Sequence, residues 1–354
     1  MPAATDRPLK IAVGIGLANE DWEQSATWIR EAERLGVDSA WTGEAWGFDA
    51  ATPLAFLAAR TSTIRLGTGI LQAGSRSPAN IAMTVLSLAS MSGDRFSLGL
   101  GTSGPQVIEG WHGVPFNPAV TRLRETVEII RIATSGERLS YSGKVYQLPL
   151  PGGEGKPLRS GAKPRRIPIY LATLGPKSLQ MTGEIADGWI ASSFMPDHAD
   201  VFLDHIAAGA SRAGRQLSEL DLQAGGVVAF SDDLDRLIAP RKPGFAFEIG
   251  AMGSPSQNFY ARAYHRQGYG ELTRRVQELW HDRRREEAAQ LIPDDFVLKS
   301  NLLGTHEMVK DRIRVYRDAG VTTLRVEPEG KTFDERLETL GRLMELAREV
   351  NAEA

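Results

Sequence analysis

The sequence predicts a (β/α)8 barrel, an α/β fold carrying inserted regions. Three observations lead there. Strand and helix signals alternate along the whole chain, the strands number eight, and two successive strands between Ile64 and Ser103 end in glycine-rich turns. Those turns are Leu66-Gly67-Thr68-Gly69-Ile70-Leu71-Gln72 and Leu98-Gly99-Leu100-Gly101-Thr102-Ser103-Gly104. Small residues leave room for a flat, large group against the backbone. In a parallel barrel that end of the strands is where chemistry sits.

The first strand is the apolar run Lys10–Gly16. Asn19 is placed to cap a helix with Trp22, Ala26, Ile29 and Leu35 on one face, and Gly36 ends it. Val37–Thr42 is the second strand, Pro53–Arg60 a helix and Ile64–Ile70 the third strand. Pro78–Met91 is helical, Arg95–Leu100 is the fourth strand, and a helix from Pro118 carries Val120, Leu123, Val127 and Ile130 on one face. A hairpin pairs Leu139–Tyr141 with Val145–Leu148 through Ser142-Gly143-Lys144. Residues 149–166, rich in Pro, Gly and basic side chains, read as an excursion outside the barrel. Pro168–Ala172, Asp187–Ala191 and Leu222–Phe230 are strands five to seven. The rhythm breaks over 231–300, which reads as a helical insertion over one end of a single-domain barrel spanning 1–354. It resumes with a helix His306–Ala319, an eighth strand Thr322–Val326 and a last helix Phe333–Val350.

Composition narrows the function. Apolar residues make up 42% and charged residues 24% of 354, the balance of a soluble globular chain. A net charge of −3 gives no global pull toward nucleic acid or membrane. The absence of cysteine excludes disulfides, thiolate catalysis and cysteine-ligated metals. No apolar run approaches the roughly 20 residues of a membrane span. The start, Met1–Arg7, lacks the apolar core of a signal peptide, so a cytoplasmic protein is expected. His112, His198, His205, His265, His281 and His306 show no HExxH spacing, and no metal is expected. Nor is there a G-x-S-x-G elbow, a Walker sequence or a strand-end Schiff-base lysine.

A capping residue followed by proline recurs at Thr52-Pro53, Ser77-Pro78, Asn117-Pro118 and Gly175-Pro176, as expected of helix starts. Gly175-Pro176-Lys177-Ser178 follows the fifth strand directly. It offers a helix N-terminus, a hydroxyl and a cation together, a cradle for phosphate. After the second strand, Glu44, Trp46, Phe48 and Asp49 cluster around Gly43 and Gly47. Aromatics there can stack on a planar ring, and a partly buried Glu44 can exchange a proton. The same residues also suit rim packing and an ion pair. Gln106, Glu109, Trp111 and His112 follow the fourth strand, and His112 is a second proton-exchange candidate or a rim histidine.

Taken together these segments resemble the luciferase-like flavin and deazaflavin oxidoreductases, in particular the actinobacterial branch that uses coenzyme F420. The resemblance rests on Val37–Ala50, Ile64–Ile70, Ser92-Gly93-Asp94-Arg95-Phe96 leading into Leu98–Gly101, Gly104–Gly113, Leu174–Lys177 and Ala186-Asp187-Gly188-Trp189. It implies a non-prolyl cis peptide bond, here at Gly69-Ile70, forming a bulge behind the cofactor ring. It also implies cofactor phosphate near Gly175, Pro176, Lys177 and Ser178. Ile11, Val13, Trp46, Gly101 and Ser103 are then expected around the ring, and Phe245, Phe247, Met252, Phe259 and Tyr260 over an apolar substrate. Some relatives carry Asp-His after the second strand and a glutamate soon after the fourth. Here Glu44-Ala45 and Gly104-Pro105 stand near those places, leaving Glu44, Glu109 and His112 as local substitutes and disfavouring sugar-phosphate dehydrogenation. The implied activity is hydride transfer between F420 and a small organic substrate with an activated C=C, C=N or C=O bond, or an alcohol. The alternatives are an FMN-dependent monooxygenase on the same scaffold and a non-catalytic F420-binding protein. A homo-oligomer, a dimer, is expected by the same analogy.

Overall fold

A computed structural model describes residues 7–15, 21–252 and 258–353. The barrel strands are β1 (Lys10–Gly14), β2 (Ser39–Thr42), β3 (Arg65–Thr68), β4 (Phe96–Gly101), β5 (Ile169–Ala172), β6 (Gly188–Ile190), β7 (Asp221–Phe230) and β8 (Thr323–Pro328). Each pairs in parallel with the next, and β8 pairs with β1, so the sheet closes. These are the eight strands expected from the sequence. Two short strands join the same sheet outside the ring: Leu71–Gln72 on β4, and Leu302–Gly304 on the far end of β7. The second was not anticipated, because three residues are too few to display a period.

Alternation along each strand sorts side chains between two layers. Ile11 and Val13 of β1 pack outward among the helices, in the large core that also holds Trp28, Leu54 and Leu343. Ala12 points inward and joins Trp41, Tyr170 and Ile190 in a plug inside the barrel. The outer layer follows ordinary helix logic. Helix Trp22–Leu35 buries Ala26, Trp28, Ile29 and Ala32, starts at Asp21, and ends at Gly36 in the left-handed conformation. The expected cap Asn19 and the last residue of the expected first strand, Gly16, lie outside the described residues. Ser77-Pro78 and Gly175-Pro176 start helices as anticipated. Two other proline starts differ. Helix Ala51–Ala58 begins two residues before Pro53, and Asn117-Pro118 is a cis bond with Pro118 as the cap of helix Ala119–Ser135. Val120 accordingly lies outside the buried face, 41% exposed.

The hairpin is shifted to Tyr141–Ser142 against Gln147–Leu148. Its turn closes around the Glu125 carboxylate, which accepts the backbone N–H groups of Lys144, Val145 and Tyr146 at 2.6, 3.0 and 2.9 Å. Among the described residues, 234–252 and 258–299 are largely helical, and Ile249, Tyr264, Val276, Phe296 and Val297 form an apolar cluster together with Ala229 of β7 and Leu303. No helix among the described residues is long and apolar enough to cross a membrane.

The barrel interior decides the shape of everything above it. Trp41 projects inward from β2, and a Cβ on Gly67 of β3 would sit 2.4 Å from its ring atoms. The flat group that approaches the first glycine-rich turn is therefore the protein's own indole. Its Nε1–H donates to Ser39 Oγ at 2.9 Å, and its ring meets Tyr170 edge-on at 5.0 Å. Deeper still, Asp221 accepts from Thr322, Thr323, Tyr170 and Gln223 at 2.6, 2.7, 2.9 and 3.1 Å. Burial alone would raise the Asp221 carboxyl. The donors outweigh it and hold the group below its ordinary value, as expected of a multiply hydrogen-bonded carboxylate.

Because Trp41 occupies the space of a missing Cβ, Gly67→Ala is an overpacking change. It is expected to cost about 1–3 kcal/mol. Urea denaturation of the full chain measures it, and a variant as stable as the parent would mean that the indole moves aside freely.

Candidate active site

A cavity of about 690 Å³ opens above the Trp41 plug, at the C-terminal ends of the strands. Gly69 and Ile70 form its floor beside Gly14, and Ala172 and Ile190 its apolar wall. The Gly69-Ile70 peptide is cis, at the position the resemblance implies. Gly101 stands behind Ile70: a Cβ there would lie 2.9 Å from Ile70 Cδ1. The insertion supplies the roof through Phe245, Glu248, Tyr260 and Tyr264.

Several expected site residues lie elsewhere. Val13 and Ile11 face the helix layer, one step out of phase with the interior, and Gly14 takes the place expected of Val13. Trp46 is 66% exposed and absent from the cavity wall, and Phe48 meets Trp22 edge-on at 5.3 Å. Ser103 is half-buried with φ +56° outside the cavity. Of the five apolar residues expected over a substrate, Phe245 and Tyr260 line the cavity. Phe247 instead meets Trp280, and Phe259 meets Phe116.

Glu44 and His112 belong to one network on the rim. Both Glu44 oxygens are taken by Arg76, one of them at 3.1 Å from Nη2, and the carboxylate also accepts the N–H groups of Ala50 and Gln72 at 3.2 and 3.4 Å. Gln72 is 1% exposed and its Nε2 donates to the Glu44 and Ala45 carbonyls at 3.1 and 3.0 Å. That fixes the amide: Oε1 must face His112 Nε2, 2.9 Å away, so the imidazole donates there. The network stitches the loops after β2, β3 and β4 together, and neither acid–base candidate lines the cavity.

The helix Pro176–Ile185 starts at the end of β5 with Gly175 as its cap. Lys177 is exposed, and Ser178 Oγ donates to the Gly175 carbonyl at 2.9 Å while keeping its lone pairs free to accept. Arg266 of the insertion donates to the adjacent Leu174 carbonyl, and its buried Nε has no partner among the described residues. Burial and the nearby Arg262 both push the Arg266 guanidinium below its ordinary value. A helix N-terminus and a cluster of cations thus meet at one place.

Two residues of the cavity escaped the sequence reading. Arg325 of β8 points into the barrel; its Nη2 would lie 3.3 Å from a Cβ on Gly69. Its guanidinium makes no hydrogen bond or ion pair among the described residues, and burial alone pushes it down to about 10. It therefore stays charged at neutral pH. Glu248 is the second, hydrogen-bonded by Ser193 Oγ and, at 3.4 Å, by Tyr264 Oη. Both carried a signal: Arg325 is a charge between Leu324 and Val326 on a strand, and Glu248 a charge inside the apolar run Phe245-Ala246-Phe247-Glu248-Ile249. A further groove, about 550 Å³ on the outer wall, holds arginines that are already paired: Arg131 and Arg166 with Asp187, and Arg215 with the carbonyls of Gly183 and Ala186.

A closed parallel barrel with a roofed cavity at its C-terminal mouth and a cis bond on the cavity floor defines the class: a barrel enzyme with a site for a flat ligand. The chain belongs to the luciferase-like monooxygenase family, whose signature matches residues 8–323. It is similar to a protein named as a coenzyme F420-dependent oxidoreductase in Mycobacterium tuberculosis, 38% identical over 85% of this chain and 90% of that one. It is also similar to the 5,10-methylenetetrahydromethanopterin reductase of Archaeoglobus fulgidus, 27% identical over 83% of this chain and 86% of the other. Among solved structures, the coenzyme F420-dependent tetrahydromethanopterin reductase of Methanopyrus kandleri superposes with a TM-score of 0.79 at 26% identity, covering 94% of this chain and 97% of that chain. An F420-dependent secondary alcohol dehydrogenase shares the fold with a TM-score of 0.74 at 18% identity, covering 96% of this chain and 99% of that chain.

The anchored Gln72 amide gives a direct expectation for His112. In its neutral form the ring carries its proton on Nε2 and leaves Nδ1 bare. Nitrogen-15 spectra of histidine-labelled protein read the tautomer, and a proton on Nδ1 would refute this orientation of Gln72.

Proposed function

We propose that this protein is an F420-dependent oxidoreductase that moves hydride between the deazaflavin and a small organic substrate. The observation that carries the reading is Arg325: a charged guanidinium without a partner among the described residues, beside the Gly69-Ile70 bond, opening into a roofed cavity. A buried unpaired charge is costly, and a ligand with accepting oxygens or nitrogens on one edge relieves that cost. A flavin-type ring has such an edge and an apolar face. Ile70, Ala172 and Ile190 suit the face, Arg325 the edge, and the Gly175–Ser178 turn with Lys177 and Arg266 the phosphate.

The residues present therefore fit the cofactor, and the F420-named relatives favour deazaflavin over FMN. Bound F420 supplies a two-electron hydride donor or acceptor at a ring carbon. Arg325 would fix the ring in the barrel mouth. Ile70 would back its face, and Phe245 and Tyr260 would keep water from the reacting carbon. The substrate class that suits these walls is an apolar molecule with an activated C=C, C=N or C=O bond, or the corresponding alcohol. Glu44, locked to Arg76, serves as a positioning residue for the rim loops.

Equilibrium titration with F420 and with FMN separates the two cofactors. Tight F420 binding and weak FMN binding are expected. Arg325→Ala is expected to weaken F420 binding by about 10- to 100-fold, the worth of one or two charge-assisted hydrogen bonds. Tight FMN binding without F420 affinity would overturn the proposal.

A further inference from the structure

Helix Lys242–Ala251 presents two different faces. Ala246 and Ile249 are fully buried in the core of the insertion, while Phe247 points outward, 49% exposed. Phe245 and Glu248, one turn apart, share the face that lines the cavity. A carboxyl has thus been placed on the roof of a cavity whose remaining roof residues are Phe245, Tyr260 and Tyr264.

We propose that Glu248 is the proton-transfer residue of this site, a carboxylic acid held by Ser193 and Tyr264 that protonates a conjugated carbonyl or imine substrate as hydride reaches it.

The surroundings of Glu248 support this role. Its hydrogen-bond partners are neutral hydroxyls, Ser193 from the loop after β6 and Tyr264 from helix Phe259–Tyr264. Tyr260 lines the same cavity. Across it stand Arg325 and Glu327 of β8 and Arg336, which lies over the Trp28 ring. None of these forms an ion pair with Glu248 among the described residues. Burial is the largest influence on the carboxyl and raises it; the two hydroxyls offset only part of that, leaving it above the ordinary carboxylate range. Burial and the charge of Glu248 also raise Tyr260 and Tyr264, so both phenols stay neutral when Glu248 ionises. A buried carboxyl raised above its ordinary value and held by two hydroxyls, with no ion-pair partner among the described residues, is suited to general acid catalysis.

The step balances as follows. The electrophilic carbon of the substrate gains a hydride, with its electron pair, from the reduced deazaflavin, which is thereby oxidised. The π pair of the C=O, C=N or conjugated C=C bond shifts to the far atom. That atom takes the Glu248 proton as the carboxyl O–H breaks and leaves its pair on the carboxylate. Water from the cavity mouth returns the proton. In the reverse direction the carboxylate accepts the proton of an alcohol or amine while its carbon yields hydride to the oxidised cofactor.

The inference rests on the F420 reading for its chemistry, but the protonation state of Glu248 can be read without any cofactor. The test is infrared spectroscopy of the full chain, wild type against Glu248→Gln, across neutral pH, followed by F420 titration and turnover of an enone or imine with reduced F420. The wild type is expected to show the carbonyl stretch of a protonated carboxyl that fades as pH rises and is missing from E248Q. F420 binding by E248Q should match the wild type, which also confirms its fold. Its kcat should fall by about 10²- to 10⁴-fold with little change in KM. Glu248→Asp should retain part of the rate and keep the loss of kcat at high pH, while E248Q should lose that limb. A carboxyl already ionised below neutral pH, or an unchanged kcat in E248Q, would overturn the assignment. Failure of the cofactor reading has a different signature: a wild type that binds no F420 while the carboxyl band persists.

Discussion

The packing of Trp41 against Gly67 is the constraint on which the site depends. A barrel of eight short strands must fill its interior with side chains, and here one indole does much of that work from a single position. It fits only because the neighbouring strand has no Cβ at Gly67. With Tyr170, Ala12 and Ile190 it seals the lower barrel, and Ile70 and Ala172 pack on top of it. The cavity floor is the upper surface of that plug. A smaller side chain at 41 would deepen the cavity into the Asp221 network, and a larger one at 67 would push the plug toward Gly69. The glycine-rich turns thus act first on the protein's own packing and only through it on a ligand. At Gly99 the same holds: a Cβ would lie 1.9 Å from the Thr68 carbonyl oxygen, and Thr68 itself is tied to Gly99 by two hydrogen bonds, at 2.9 and 2.8 Å.

The treatment of charge separates scaffold from site. Arg95 donates to four oxygens of the loop before β3, those of Ile64, Ala58 and Thr61. Arg122 is buried and donates to the Phe116 carbonyl at 3.0 Å, and Arg65 pairs with Asp38. In each case the cation is bonded to the protein's own oxygens. Glu44 with Arg76 follows the same pattern, and its residual exposure, 8% of the side chain, leaves no face for a substrate. Arg325 departs from this pattern, since nothing in the described chain accepts from it. A saturated pair is evidence of architecture. An unsaturated cation that opens into a cavity is evidence of a ligand.

The fold was legible in the sequence because parallel strands and amphipathic helices alternate with distinct periods and the proline starts mark several boundaries. All eight ring strands fall within a few residues of their expected places. The site was legible only in part. Backbone features, the Gly69-Ile70 bulge and the cap at Gly175, were recoverable because they are local in sequence. Side-chain orientation was not, because a one-residue error of phase on β1 exchanges Val13 for Gly14. The role of Glu44 depended on Arg76, 32 positions later, and no local pattern announces such a partner. Trp46 looked like a stacking residue by type, yet its loop turns the ring toward solvent. Arg325 and Glu248 were visible as charges in apolar runs, but their convergence on one cavity needed the closed barrel and the folded insertion.

That convergence gives the cavity a defined polarity. Burial acts on both groups in the direction that disfavours charge, yet the outcomes differ because their ordinary values differ. Arg325 is pushed down only to about 10 and keeps its charge at neutral pH, whereas burial moves Glu248 upward, toward its protonated form. The floor therefore carries a fixed positive charge and the roof a carboxyl that burial biases toward its neutral form. In the proposed reaction a ligand between them would enter by its electron-rich edge, and negative charge developing on the substrate would meet a proton donor above it. The helical insertion makes this arrangement possible. Its apolar core, completed by Ala229 of β7 and by Met195 and Leu303, fixes helix Lys242–Ala251, so the face bearing Glu248 is set apart from the cations at the end of β5. On the barrel rim the corresponding carboxylate, Glu44, is instead closed off by its ion pair with Arg76.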